Sequence, residues 1–150
     1  MLVIEQRCGA TQQVDGRLVL PFDLRQKARL RTRLESGEEV GLFLERGGIL
    51  RGGDCLRAAD GRVIAVVAAP EHVLTIRSEN LRELLRVAYH LGNRHVPLEI
   101  GDGYVRLAFD AVLRDMAARF AVAVSEEHGP FEPESGAYAH AGSHAHGSHG

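Results

Sequence analysis

Six histidines stand where imidazole could serve as a ligand. His90 and His95 fall five apart in "YHLGNRH", on either side of a Gly-Asn pair of the kind that ends helices. His140, His144, His146 and His149 fall in the closing stretch "HAGSHAHGSHG". Neutral imidazole is a good ligand for Ni²⁺, Cu²⁺ and Zn²⁺. One histidine at a folded corner holds an ion weakly, but two-fold pairing of chains would bring two copies together, since an isologous interface repeats each residue across its axis. A string of histidines among Gly, Ala and Ser has no competing charge and is free to wrap, which suits fast exchange. Neither group includes a thiolate, the ligand that Cu(I) and structural zinc prefer. An expression tag is the other origin for such a string, although designed tags are usually unbroken His runs.

Other chemistries lack their constellations. No G-x-S-x-G, P-loop, H-E-x-x-H or Gly-rich dinucleotide turn occurs. A metal-dependent hydrolase would need a rigid open site and a positioned base, and no carboxylate–histidine cluster answers to that. Catalytic residues are therefore not assigned. "RGGILRGGD" repeats the Arg-Gly-Gly of nucleic-acid-binding segments, but two copies around an apolar pair read as turns flanking a strand. Cys8 and Cys55 form no C-x-x-C pair and read as small core-filling thiols.

The elements that must position these residues fall into three stretches. In residues 1–70, short apolar runs are punctuated by Gly. Asp15-Gly16 and Asp60-Gly61 carry hairpin turn chemistry. A small antiparallel β domain is expected. Within it Arg25, Lys27, Arg29, Arg31 and Arg33 occupy odd positions and Leu24, Ala28, Leu30 and Leu34 even ones. On a strand, that puts five cations on one face. The stripe reads as the solvated face of a half-buried sheet or as a docking site for an acidic partner or a phosphate backbone.

Residues 71–128 read as β-α-β-β-α-β, the ferredoxin-like order. "HVLTIR" is the first strand. Asn80 and Glu83 have capping-box spacing, and Leu81, Leu84, Leu85, Ala88 and Leu91 follow at helical intervals. His90 lies roughly opposite that stripe, so it is expected to face water or a partner. "HVPLEI" and "YVRLAF" flank Gly101-Asp102-Gly103 as a hairpin, with Pro97 suited to an edge strand and His95 at its start. A second helix carries Phe109, Val112, Leu113, Met116, Ala117 and Phe120, and "FAVAVSEE" closes as a strand. Residues 129–150 lose all periodicity and read as a flexible His-rich tail. The fold class is thus α+β: a small antiparallel β domain, then a ferredoxin-like domain, then the tail.

Hydrophobic and charged fractions of 45% and 25% are ordinary for a globular protein. No apolar run reaches the roughly eighteen residues of a membrane span. Charged Glu5 and Arg7 come too early for a signal peptide, so a cytoplasmic location is expected. The net charge of −2 gives no general attraction to nucleic acid or anionic lipid.

"YHLGNRHVPLEI", "GLFLERGGILRGGD" with "DGRVIAV", and "PFEPESGAYAH" before a His-rich end resemble the UreE family of urease accessory proteins, from about Asp15 to the terminus. The resemblance implies a nickel metallochaperone that catalyses no reaction. It implies a peptide-binding-like β domain and a ferredoxin-like metal-binding domain. It also implies a homodimer whose central site takes the G-N-R-H histidine, here His95, from each chain. Its cargo would be Ni²⁺, with Cu²⁺ and Zn²⁺ able to bind in vitro, and its partners the urease accessory GTPase and the apourease complex. Some relatives carry an H-x-H pair at the start of the second helix of this domain. This chain has Phe109-Asp110-Ala111 there, which leaves the tail histidines as the additional ligands. His90 also matches the family motif.

Two other functions fit parts of the pattern. One is a nucleic-acid binder with an RNA-recognition-like fold. Such a fold needs aromatic platforms on its central strands, where "HVLTIR" has none and the third strand offers mainly Tyr104. The other is a general metal-storage protein. Removing residues 136–150 is expected to lower the number of Ni²⁺ ions bound while leaving a tighter site shared by two chains. Equilibrium dialysis of the shortened protein measures both quantities, and loss of all binding would leave the folded part without a site.

Overall fold

The computed structural model describes residues 1–9 and 13–136. They fall into two compact units, Met1–Ala69 and Pro70–Glu134. The mix of strands and helices is α+β. No helix among the described residues is long and apolar enough to cross a membrane.

The first unit contains β1 (Leu2–Cys8), β2 (Gly16–Leu20), α1 (Phe22–Arg25), β3 (Arg29–Arg33), β4 (Glu39–Phe43), β5 (Cys55–Ala58) and β6 (Val63–Ala68). They form one sheet in the order β2-β6-β5-β1-β4-β3. Ile4, Leu18, Leu42, Leu56 and Ile64, all fully buried, build its core. The expected antiparallel domain is corrected here: β1 runs parallel to β4, and β2 parallel to β6. Asp60-Gly61 does turn a hairpin between β5 and β6, with Gly61 at φ +93°. Asp15-Gly16 does not. Its carboxylate instead accepts the Val63 N–H at 2.9 Å and starts β2 alongside β6. A local turn signal cannot reveal a partner strand 48 residues away. The same pairing problem hid the two cysteines, which are free and stand opposite each other across β1 and β5.

The basic stripe survives only in part. Arg29, Arg31 and Arg33 lie on the exposed face of β3, an edge strand, where cations discourage a second chain from pairing with it. Arg25 does not share that face. It closes α1 and is fully buried, with Nε donating to the Leu20 carbonyl at 3.0 Å and a terminal nitrogen to the Leu50 carbonyl at 3.2 Å. The short helix breaks the alternation that a continuous strand would have kept.

The second unit contains β7 (Pro70–Arg77), α2 (Leu81–Gly92), β8 (Glu99–Gly101), β9 (Tyr104–Ala108), α3 (Ala111–Ala117) and β10 (Ala123–Pro130). The expected element order holds, and the antiparallel sheet runs β10-β7-β9-β8. Leu74, Ile76, Val105 and Leu107 pack one sheet face against Leu84, Val87, Leu91, Leu113 and Ala117 of the helices. Gly101 and Gly103 frame the β8–β9 hairpin. A Cβ at position 101 would collide with the Tyr104 ring, and Gly103 takes φ +77°.

The alternate residues of these strands carry a polar network. Thr75, fully buried, donates its hydroxyl to Glu127 at 2.9 Å and accepts from Arg106 Nε at 2.9 Å. Arg77 donates to Glu127 at 2.7 Å. Arg106 also reaches Glu99 at 3.4 Å, and the Tyr104 hydroxyl donates to the same Glu99 oxygen at 2.9 Å. Hydrogen bonds from Arg77, then from Thr75 and Ser125, pull the Glu127 carboxyl down to about 2. A carboxyl lowered by folding adds stability above its ordinary pKa of 4.5, and that stability is lost as pH falls through about 2. Glu127→Gln is therefore expected to cost roughly 1–2 kcal/mol at neutral pH, allowing for solvent screening. The deficit should shrink as pH drops from 4.5 towards 2, which urea midpoints of both proteins over that range would record.

Candidate metal site

Helix α2 and the turn after it place the two corner histidines. Asn80 caps the helix by accepting the Glu83 N–H at 3.3 Å. The capping box is only half made, because the Asn80 N–H goes to the Ser78 hydroxyl at 3.0 Å. Glu83 instead accepts from Arg86 at 3.0 Å and from the Ala121 N–H at 3.3 Å, which together hold its carboxyl below the usual range.

Two apolar stripes run along α2. Leu84, Val87 and Leu91 are buried. Leu81, Leu85 and Tyr89, four apart, are 66%, 60% and 66% exposed. Leu81 and Leu85 were expected in the core. They project to its side, because a four-residue step overshoots one helical turn and drifts around the axis. Arg82, Arg86 and His90 run beside them at the same spacing and complete an open groove of about 610 Å³. His90 is exposed as expected, its ring edge-on to Tyr89 at 5.3 Å and tilted against Phe120 at 5.4 Å.

His95 lies in the turn beyond the helix, not at the start of a strand. Asn93 is the C-cap, and the N–H groups of Arg94 and His95 donate to the carbonyls of Leu91 and Gly92 at 3.0 and 3.1 Å. The turn then leaves His95 in left-handed backbone at φ +58°, alone among the described non-glycine residues. Pairing with β9 begins only at Glu99. Pro97 has no N–H to give a ladder and holds Val96 extended. His95 is exposed and points its chemistry outward from a fixed corner.

The stretch expected as the beginning of the tail is not loose. Gly129 and Pro130 belong to β10, and Phe131 and Pro133 are buried. The Glu132 N–H donates to Glu99 at 2.8 Å and the Glu134 N–H to the Leu98 carbonyl at 2.9 Å. From one edge of the sheet the chain thus crosses to the other and arrives beside Leu98, three residues past His95. His140, His144, His146 and His149 lie outside the described residues. Among the described residues no three His, Cys, Asp or Glu side chains form a ready metal cage. Sequence reasoning passed over His72 and His128, which the strands bring into contact. It also passed over Glu99, whose burial and neighbours come from β9 and the crossing segment.

Fold and site together define a two-unit α+β protein that presents one imidazole on a rigid corner and a second on the flank of an apolar helix groove. Residues 3–69 match the model of the UreE urease accessory protein N-terminal domain, and residues 71–150 that of its C-terminal domain. The chain is 46% identical over 147 residues to the urease accessory protein UreE of Nitrosospira multiformis, covering 98% of this chain and 84% of that one. It is 50% identical over 138 residues to that of Alkalilimnicola ehrlichii (92% and 85%), and 55% identical over 131 residues to that of Cupriavidus necator (87% and 67%). The chain belongs to the UreE family of urease accessory proteins.

Left-handed backbone costs an L-residue about 1–2 kcal/mol, less for His and Asn than for β-branched residues, and nothing for Gly. His95→Gly is accordingly expected to keep or slightly raise stability, and His95→Val to lower it by about 1–2 kcal/mol. Thermal unfolding of the two variants beside the parent checks the ordering.

Proposed function

We propose that this protein takes part in urease maturation as a nickel chaperone, binding Ni²⁺ and passing it to apourease in the cytoplasm without catalysing a reaction. The Pro70–Glu134 unit is the metal-binding domain, of ferredoxin-like layout, and the Met1–Ala69 unit is the peptide-binding-like domain. Two chains pair so that both His95 side chains meet on the two-fold axis. The urease accessory GTPase and the apourease complex are the recipients.

The observation that carries this reading is the exposed His95, fixed on a left-handed corner in a chain of the UreE family. A backbone-held imidazole loses little freedom on coordination, and two of them leave open positions on the ion. An acceptor can then add its ligand before the donor releases. Two further features support it. The exposed Leu81, Leu85 and Tyr89 provide an apolar surface of the kind that pairing of chains covers. The segment ending at Glu134 delivers the chain beside Leu98, and His140 follows six positions after Glu134, a reach of at most about 20 Å. The histidines beyond the described residues, His140, His144, His146 and His149, serve as further ligands in this reading. Cu²⁺ and Zn²⁺ share this ligand chemistry, so selection of nickel rests on availability and on the recipient.

In protein lacking residues 136–150, His95→Gly is expected to abolish the tight nickel site and to leave the dimer intact, because it removes the imidazole without straining the turn. His90→Ala should weaken binding less. Nickel titration with sedimentation reads both. Parental affinity in a dimeric His95→Gly protein would refute the shared site.

A further inference from the structure

The second unit carries another pair of imidazoles. His72 on β7 and His128 on β10 are directly opposite in the antiparallel register. Their rings stack in parallel, 2° between planes and 5.0 Å between centroids. The far face of His72 lies on Phe109, again in parallel, at 4.3 Å. Glu126 is two residues before His128, so strand alternation puts both on one side of the sheet. The nearer Glu126 oxygen is 3.2 Å from His72 Nε2, and its other oxygen accepts from Arg114 at 3.3 Å. His72, His128 and Glu126 are all exposed.

We propose that His72 and His128 form a second seat for a divalent transition-metal ion of the Ni²⁺, Cu²⁺ and Zn²⁺ class. A carboxylate only accepts, so the Glu126 contact places the proton of neutral His72 on Nε2 and leaves Nδ1 bare. A metal-bound histidine usually gives its other N–H to a carboxylate or carbonyl, which fixes its tautomer and orientation. Glu126 does this for His72, and Arg114 and the Phe109 ring hold Glu126 and the imidazole in place. Directly opposed residues on paired strands have Cβ atoms about 4.5–5.5 Å apart. With His72 held by Glu126 and Phe109, the His128 imidazole at that spacing can turn about its side-chain bonds until one nitrogen of each ring lies about 2.0–2.1 Å from a shared ion. The strand pairing has already fixed the backbone, so only side-chain rotation is spent on chelation. Among the described residues no third protein ligand is in place. Water completes the coordination, giving an accessible seat of moderate affinity with Cu²⁺ bound more strongly than Ni²⁺.

This seat does not involve His95 or the tail, so it stands or falls separately from the nickel site proposed above. The test uses the full chain with His95→Gly and with His140, His144, His146 and His149 replaced by Ala, leaving His72, His90 and His128. Cu²⁺ and then Ni²⁺ are titrated by calorimetry, and the copper-bound nitrogens are counted by electron paramagnetic resonance. One ion per chain with two nitrogens is expected. Loss of that ion in both His72→Gln and His128→Gln, with an affinity about tenfold weaker in Glu126→Gln, would establish the seat. In the unaltered chain, Cu²⁺ added beyond what the His95 and tail histidines take up should broaden the ring NMR signals of both His72 and His128, a readout that depends on no variant folding. Titrations unchanged by the His72 and His128 substitutions, or ring signals that stay sharp, would overturn the proposal.

Discussion

The register of β10 against β7 is the constraint on which the second unit depends. The strands pair residue for residue from Ala123–Arg77 to Pro130–Pro70. A slip of one position would turn every side chain of β10 to the other face. In the observed register Glu127 falls among Arg77, Thr75 and Arg106, where an otherwise costly buried hydroxyl and a guanidinium find their partners. The same register sets His128 against His72. It also fixes where β10 ends, and hence the path by which the following residues cross to Glu99 and Leu98. The polar network stabilises that path, since the Arg106 that bonds Thr75 and Glu99 also reaches the Pro130 carbonyl at 3.4 Å.

Helix α2 makes the complementary contribution. Its buried stripe ties it to the sheet through Leu84, Val87 and Leu91, and this anchoring fixes the direction in which the helix ends. Because the helix is anchored on one side only, Leu81, Leu85, Tyr89 and His90 remain available on the other. The turn after Gly92 then converts helix direction into a corner. Its left-handed step falls on a histidine and not on a glycine, and a residue in that conformation is kept there by the surrounding turn. Local strain and an exposed imidazole thus coincide at one position.

Much of this was legible in the residues. The periodicities of α2 and α3, the hairpins at Asp60-Gly61 and Gly101–Gly103, and the Asn80 cap are local signals. Their physics is confined to a few neighbouring dihedral angles. His90 and His95 were legible as candidates for a similar reason, since the helix end that separates them is written within seven residues. The family resemblance rested on whole segments and held over both units.

What was not legible depends on strands that meet across long separations. Nothing in "LVIEQRC" states that β1 lies parallel to β4, nor does Asp15-Gly16 state that β2 will join β6. Arg25 looked like one of five surface cations until a four-residue helix turned it into the interior, where the carbonyls of Leu20 and Leu50 receive it. Phe131 and Pro133 looked like tail because their partners lie on another part of the sheet. The sequence by itself determined the elements, the helix end and the residues capable of coordination, because those follow from short-range sterics and hydrogen bonding. Only the tertiary structure decided which residues face one another, His72 with His128 above all, because fifty-six residues of chain separate a pair that one strand register holds 5.0 Å apart.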